Sequence, residues 1–170
     1  MSDSLRTEFA AILTQRLAPT LLFARACSPA SDAEEIAQEA FLRLWVRMKE
    51  DAPPKNPAAW LFRVVRNLAA DGARRHRRER SAAERLAVER SAWFEPPPET
   101  SDSAEPLTAA LEQLAPELRE VVVAKIWGEL TFDEIAEITG TPKSSVFDRY
   151  RKALEVLRTA IKKEKTDEPS

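Results

Sequence analysis

The sequence predicts an all-α chain: two small helical domains joined by a flexible linker, the C-terminal one containing a helix-turn-helix. Three observations predict it. Only three of the 170 residues are glycine, which leaves little material for tight hairpins. Apolar positions recur at spacings of three and four, with no sustained alternation of β-branched residues. Residues 91–106, SAWFEPPPETSDSAEP, hold four prolines and four acidic residues and no basic one; proline stops a helix and like charges extend the chain. The expected boundaries are therefore a first domain at 1–90, the linker at 91–106 and a second domain at 107–170. Trp93 and Phe94 at the linker's start are an apolar pair able to dock locally.

Composition narrows the classes of function. No apolar run approaches the roughly 18 residues of a membrane helix, and Met1 to Arg16 lacks the basic-then-apolar order of a secretory signal. A cytoplasmic chain without membrane insertion is expected. One cysteine, Cys27, excludes an intramolecular disulfide, and with the single histidine, His76, it supplies too few soft ligands for a structural zinc. No metal and no cofactor are expected. The net charge of −2 argues by itself against nucleic acid, but the distribution of charge argues for it.

In the first domain, Leu5–Leu17 and Thr20–Cys27 read as two short helices that Pro19 bends or separates. Ser31-Asp32-Ala33-Glu34 has the form of a capping box and places acids at the positive end of a helix dipole. The helix it opens has a core stripe of Ala33, Ile36, Ala37, Ala40, Phe41, Leu44, Trp45 and Met48. Beside that face Glu35, Glu39, Leu42 and Val46 fall together. They are either the flank of a wide core face or a protein-docking surface, and periodicity alone favours the first.

Asn56-Pro57 supplies a cap followed by proline at the first helical position, so the next helix runs from Pro57 to about Arg80. Leu61, Val64, Val65 and Leu68 form its core stripe, whereas Trp60, Arg63, Asn67 and Arg74 share another face. Residues 74–80 hold five arginines against one glutamate. Guanidinium groups neutralise phosphates, and an aromatic ring with an amide stacks on and hydrogen-bonds to unpaired bases, so this face suits opened nucleic acid. His76 lies within the arginine run with no evident carboxylate partner, and with no phosphate-binding glycine loop the chain is not expected to be an enzyme.

Past the linker, Leu107–Leu114 and Glu117–Trp127 read as helices, the second opened by Pro116 and closed by Gly128. Thr131-Phe132-Asp133-Glu134 is a second capping box, followed by Ile135, Ala136 and Ile138 before Gly140 ends the helix. Thr141-Pro142 restarts a helix with Val146, Tyr150, Ala153, Leu154, Leu157 and Ile161 on one face. Ala136, Gly140 and Val146 have the spacing of a helix-turn-helix, in which a small residue, a left-handed turn and a core-closing residue recur. An ordinary helical hairpin is the alternative. It is weakened by eight basic against three acidic residues over 142–165, which favours a second helix placed in a major groove with Lys143, Ser144, Arg149 and Arg151 near bases or phosphates.

Three segments carry a resemblance: DAEEIAQEAFLRLW at 32–45, PAAWLFRVVRNLAADGARR at 57–75, and LAPELREVVVAKIWGELTFDEIAEITGTPKSSVFDRYRKALEVLR at 114–158. In order and spacing the chain resembles a bacterial RNA polymerase sigma factor of the extracytoplasmic-function (ECF) group. The resemblance implies a transcription initiation factor that binds core RNA polymerase, recognises both promoter elements and promotes strand opening. It implies that Asp32, Glu35, Gln38, Glu39, Leu42 and Trp45 dock on a coiled coil of the polymerase largest subunit. By the same resemblance, the loop 50–56, with Lys55 and Asn56, captures a flipped base of the minus-ten element. Trp60, Arg63, Arg66, Asn67 and Arg74, with Arg75, Arg77 and Arg78, belong to the helix beside it. The helix-turn-helix would read the minus-thirty-five duplex through Thr131, Lys143, Ser144, Ser145, Arg149, Arg151 and Lys152. The implied partners are core polymerase, promoter DNA both duplex and melted, and an anti-sigma factor. Phe147 and Asp148 depart from the Lys and Ser that the family often carries, and Gly72 stands where a larger apolar residue is common.

Overall fold

The computed structural model describes residues 3–50, 53–82 and 104–167. The segment holding Trp93 and Phe94 lies outside them, as does most of the expected linker. Seven helices account for the described secondary structure: α1 (Asp3–Cys27), α2 (Ala30–Lys49), α3 (Pro57–Ala82), α4 (Ala104–Gln113), α5 (Pro116–Ile126), α6 (Phe132–Thr139) and α7 (Lys143–Asp167). No strand occurs among the described residues.

Helices α1 to α3 pack on one another as a first unit, and α7 packs on α4, α5 and α6 as a second. The core stripe of α2 is buried as its periodicity requires, with Ala33, Ala40 and Leu44 fully enclosed and Trp45 at its edge. Two helix starts differ from expectation. Pro19 lies inside a single helix α1 instead of dividing two. Its missing N–H and ring clash cost roughly 3 kcal/mol in a helix interior, and burial of Leu22, Phe23, Ala24 and Ala26 in the turns that follow offsets this. Helix α2 begins one residue before Ser31, with extended Pro29 (φ −54°, ψ 147°) at the N-cap and no side-chain cap bond. Proline has fixed the entry angle, and the Asp32 N–H donates to the Pro29 carbonyl at 3.0 Å.

Three other caps form as written in the sequence. Asn56 Oδ1 accepts from the Ala59 N–H at 3.2 Å, and the reciprocal Thr131–Glu134 capping box is complete. Gly140 adopts the left-handed conformation (φ 61°) that ends α6. The end of α4 has no basic residue of its own. Arg119 from α5 donates instead to the carbonyls of Leu111, Glu112 and Leu114 at 2.9–3.0 Å, meeting the negative end of that helix.

The two units share one core. Phe23 of α1 and Phe62 of α3 stack with centroids 4.4 Å apart and an interplanar angle of 27°, both fully buried. The turn after α5 closes over them. A Cβ on Gly128 would stand 2.7 Å from Phe62 Cε1 and 2.5 Å from the Ala124 carbonyl oxygen, so Gly128 is required by space. The left-handed residue there is Glu129 (φ 55°), so the glycine expected to close α5 is not the residue that takes the left-handed turn. Gly128→Ala should therefore destabilise the protein by about 1–3 kcal/mol, the range of an overpacked core. Gly72→Ala meets open space and should stabilise by up to about 1 kcal/mol through helix propensity. Urea unfolding of the two variants should move in opposite directions.

Candidate functional site

The first candidate surface is the outer ridge of α2. Leu42 and Val46 are 61% and 57% exposed, so the core does not claim them and they stand in water beside Glu35 and Glu39. A groove of about 510 Å³ on one side of the ridge is lined by Gln38, Phe41, Leu42 and Trp45, with Arg6, Phe9, Leu13 and Leu17 from α1. Phe9 meets Trp45 at 5.0 Å between ring centroids. The contribution of α1 was not expected; its signal was the unassigned apolar positions at Phe9, Leu13 and Leu17.

On the opposite side of the ridge, Asp32, Glu35 and Glu39 face α3 residues Asp71, Gly72 and Arg75 across a groove of about 550 Å³. Asp32 is not a free docking carboxylate. Its Oδ2 lies 2.8 Å from His76 Nε2, while His76 Nδ1 lies 3.7 Å from Glu79. The expectation that His76 lacks a carboxylate partner is thereby corrected, because the helix crossing brings together residues 44 positions apart. Trp60 lies half-buried beside Leu42 and Val46 along a third groove, so the apolar ridge runs up to the start of α3.

The polar face of α3 is the second surface. Asn67, Arg74, Arg75, Arg77 and Arg78 are exposed. Arg74 pairs with Asp71 one turn back. Three groups expected to face nucleic acid instead meet carboxylates of the second unit. Asn56 Nδ2 donates to Glu134 Oε1 at 2.6 Å, Arg63 pairs with Glu137 at 3.0 Å, and Arg66 pairs with Glu120. A fourth contact across the units joins Arg16 to Glu129 at 3.1 Å. Lys55 is exposed beside them.

The third surface is the helix-turn-helix. Val146 is fully buried beneath α6, and Ser144, Phe147, Asp148, Arg151 and Lys152 are exposed on α7. Lys143 pairs with Asp133 at 2.8 Å, and Arg149 donates to Thr141 Oγ1 at 3.3 Å. Thr131 is exposed, but its hydroxyl already serves the cap of α6, and Ser145 is half-buried. No cluster of three or more metal-ligating side chains exists among the described residues, and no described helix is long and apolar enough to cross a membrane.

A helical protein of two units, with an arginine-rich face on one and a helix-turn-helix on the other, falls in the class of multi-surface transcription proteins. Comparison narrows the class. Residues 15–79 match Sigma-70 region 2 and residues 104–157 match Sigma-70, region 4. The chain belongs to the sigma-70 family of RNA polymerase sigma factors, in its ECF subfamily. It is 31% identical over 140 residues to the ECF RNA polymerase sigma factor SigE of Mycolicibacterium smegmatis, covering 80% of this chain and 54% of that protein. It is 29% identical over 158 residues to the ECF RNA polymerase sigma factor RpoE of Cereibacter sphaeroides, covering 86% and 82%. The chain thus spans about half the length of the first relative and four fifths of the second. Its fold resembles the sigma factor RpoE of Bartonella quintana, solved in complex with the anti-sigma factor NepR, with a TM-score of 0.75, 23% identity and coverage of 91% and 97%.

The contact between units has a built-in reporter. Cys27 Sγ lies 3.9 Å from Glu120 Oε1, the carboxylate that also takes Arg66. Burial raises the thiol pKa well above the ordinary thiol range, the Glu120 charge raises it further, and Arg66 opposes them. The thiolate is the reactive form, so Cys27 should label far more slowly than free cysteine at pH 8. Glu120→Gln removes a charge that disfavours the thiolate and should speed labelling, shifting the rate-versus-pH curve to lower pH. An unchanged curve would show that Glu120 does not act on the thiol.

Proposed function

We propose that this chain is a promoter-specificity factor that binds core RNA polymerase and directs it to promoters of two elements, with all bond-making left to the polymerase. The observation that carries the reading is the pair Leu42 and Val46, large apolar side chains left in water on a helix whose other large apolar side chains are buried or half-buried. At roughly 25 cal/mol per Å² of apolar surface, covering them favours a partner, and Glu35 and Glu39 beside them select one with basic groups. In this reading the α2 ridge, with Gln38 and Trp45, docks on the coiled coil of the polymerase largest subunit, while Asp32 stays with His76.

The loop 50–56 and the face of α3 carrying Trp60, Arg63, Arg66 and Asn67 take the unpaired strand of the minus-ten element, and the arginine run after Arg74 neutralises its phosphates. Helix α7 reads the minus-thirty-five duplex through its amino-terminal turns. Promoter binding then exchanges the carboxylates of Glu120, Glu134 and Glu137 for phosphates and bases at Arg66, Asn56 and Arg63. The Arg63–Glu137 pair is exposed and contributes roughly 0–1 kcal/mol, so it exchanges at little cost, whereas the Arg66–Glu120 pair is partly buried and costs more to open. An anti-sigma factor is the expected regulator, in keeping with the similarly folded RpoE of Bartonella quintana, solved in complex with the anti-sigma factor NepR.

Glu39→Lys with Leu42→Lys should abolish co-elution with purified core polymerase while leaving the circular dichroism spectrum unchanged; retained co-elution removes the ridge as the docking surface. Trp60→Ala with Asn67→Ala should preserve co-elution and lower the permanganate reactivity of promoter thymines at least tenfold. Equal reactivity in wild type and double variant would exclude this face from strand opening. Run-off transcription from a promoter library, dependent on the added chain, tests the whole reading.

A further inference from the structure

The recognition helix carries an apolar side chain that the fold leaves in water. Phe147 lies one turn into α7 and is 45% exposed, on a helix whose apolar face is otherwise turned inward. It shares the outward side of that helix with Ser144 and Arg151, at spacings of three and four residues, and Asp148, next along the chain, is exposed as well. Its ring is braced. The edge-to-face contact with Phe132 has centroids 5.4 Å apart at 80°, and Phe132 in turn rests on Tyr150 at 5.5 Å and under the Lys125 ammonium at 4.8 Å. Phe132 opens α6 directly after the closed Thr131–Glu134 cap. The aromatic ring is thus held in place by the element that would seat the helix on DNA.

An exposed aromatic in this position has few chemical uses in a major groove. The edges of base pairs there present hydrogen-bond donors and acceptors, and one apolar group, the C5 methyl of thymine. A phenyl ring cannot pair with phosphate or with a polar base edge. Asp148, next along the helix, repels phosphate and is suited only to a donor such as the cytosine amino group, which favours base edges over the backbone as the surface set against this stretch of α7. We infer that Phe147 is a specificity-determining residue that reads a thymine methyl group in the upstream duplex element. The inference rests on the proposed promoter-reading function and names one base-edge group that the site selects.

The test uses the full chain with core polymerase. The preferred upstream element is first selected from a randomised promoter library. Each thymine of the selected duplex is then replaced in turn by uracil, which removes only the methyl group. The wild-type complex should bind one uracil-substituted duplex about fourfold more weakly than its parent, the weight of one buried methyl group. In Phe147→Ser that penalty should vanish, while co-elution with core polymerase is retained. A wild-type complex that binds thymine and uracil duplexes equally at every position overturns the inference and leaves the promoter-reading function standing, as does an undiminished penalty in Phe147→Ser. Failure of the chain and core polymerase to enrich any upstream sequence overturns the inference together with the reading beneath it.

Discussion

The stacked pair of Phe23 and Phe62, capped by the backbone at Gly128, is the contact on which the arrangement of the molecule depends. It is made between α1 and α3, yet it is sealed by the turn after α5, so one aromatic cluster belongs to both units. Apolar burial of this kind is strong and non-directional. Register between the units comes from the polar pairs around it: Arg16 with Glu129, Asn56 with Glu134, Arg63 with Glu137 and Arg66 with Glu120. Several of these are well exposed, and such pairs add little stability individually. The aromatic cluster therefore holds the units together, and the pairs fix how they meet.

That division of roles bears on the proposed activity. Three of the groups assigned to the opened strand, Asn56, Arg63 and Arg66, are held by carboxylates, and a carboxylate offers the same kind of acceptor as a phosphate oxygen. Contacts weak enough to be screened by salt are contacts that a polyanion displaces. The α2 ridge stands apart from this interface. It is flanked by an apolar groove toward α1 and a charged groove toward α3, and Trp60 lies where the ridge meets the start of α3. In the proposed reading, polymerase docking and strand capture are neighbouring tasks on one helical unit, whereas duplex reading falls to the other.

Much of this was legible residue by residue. The stripe of α2, the Asn56 cap, the capping box at Thr131, the left-handed Gly140 and the burial of Val146 all follow from local pattern, because each depends on residues within a turn or two of one another. What escaped depends on distant residues. Phe62 is fully buried although it falls outside the Leu61–Val65–Leu68 stripe, since the surface that covers it comes from Gly128 and α1. His76 finds Asp32 44 positions away. Pro19 stays within one helix because the turns after it are buried, a fact that no local rule contains.

The amino-acid sequence determined the helices, most of their caps, the helix-turn-helix and the family to which the chain belongs, because those rest on short-range hydrogen bonding and on the spacing of apolar residues. Tertiary structure alone decided that the units share a core, that Gly128 is a matter of space while Glu129 takes the left-handed turn, and that Asn56, Arg63 and Arg66 face glutamates. The physical reason is that steric fit and charge pairing between remote segments are set by where whole helices come to lie, and periodicity records only which way each helix turns its own faces.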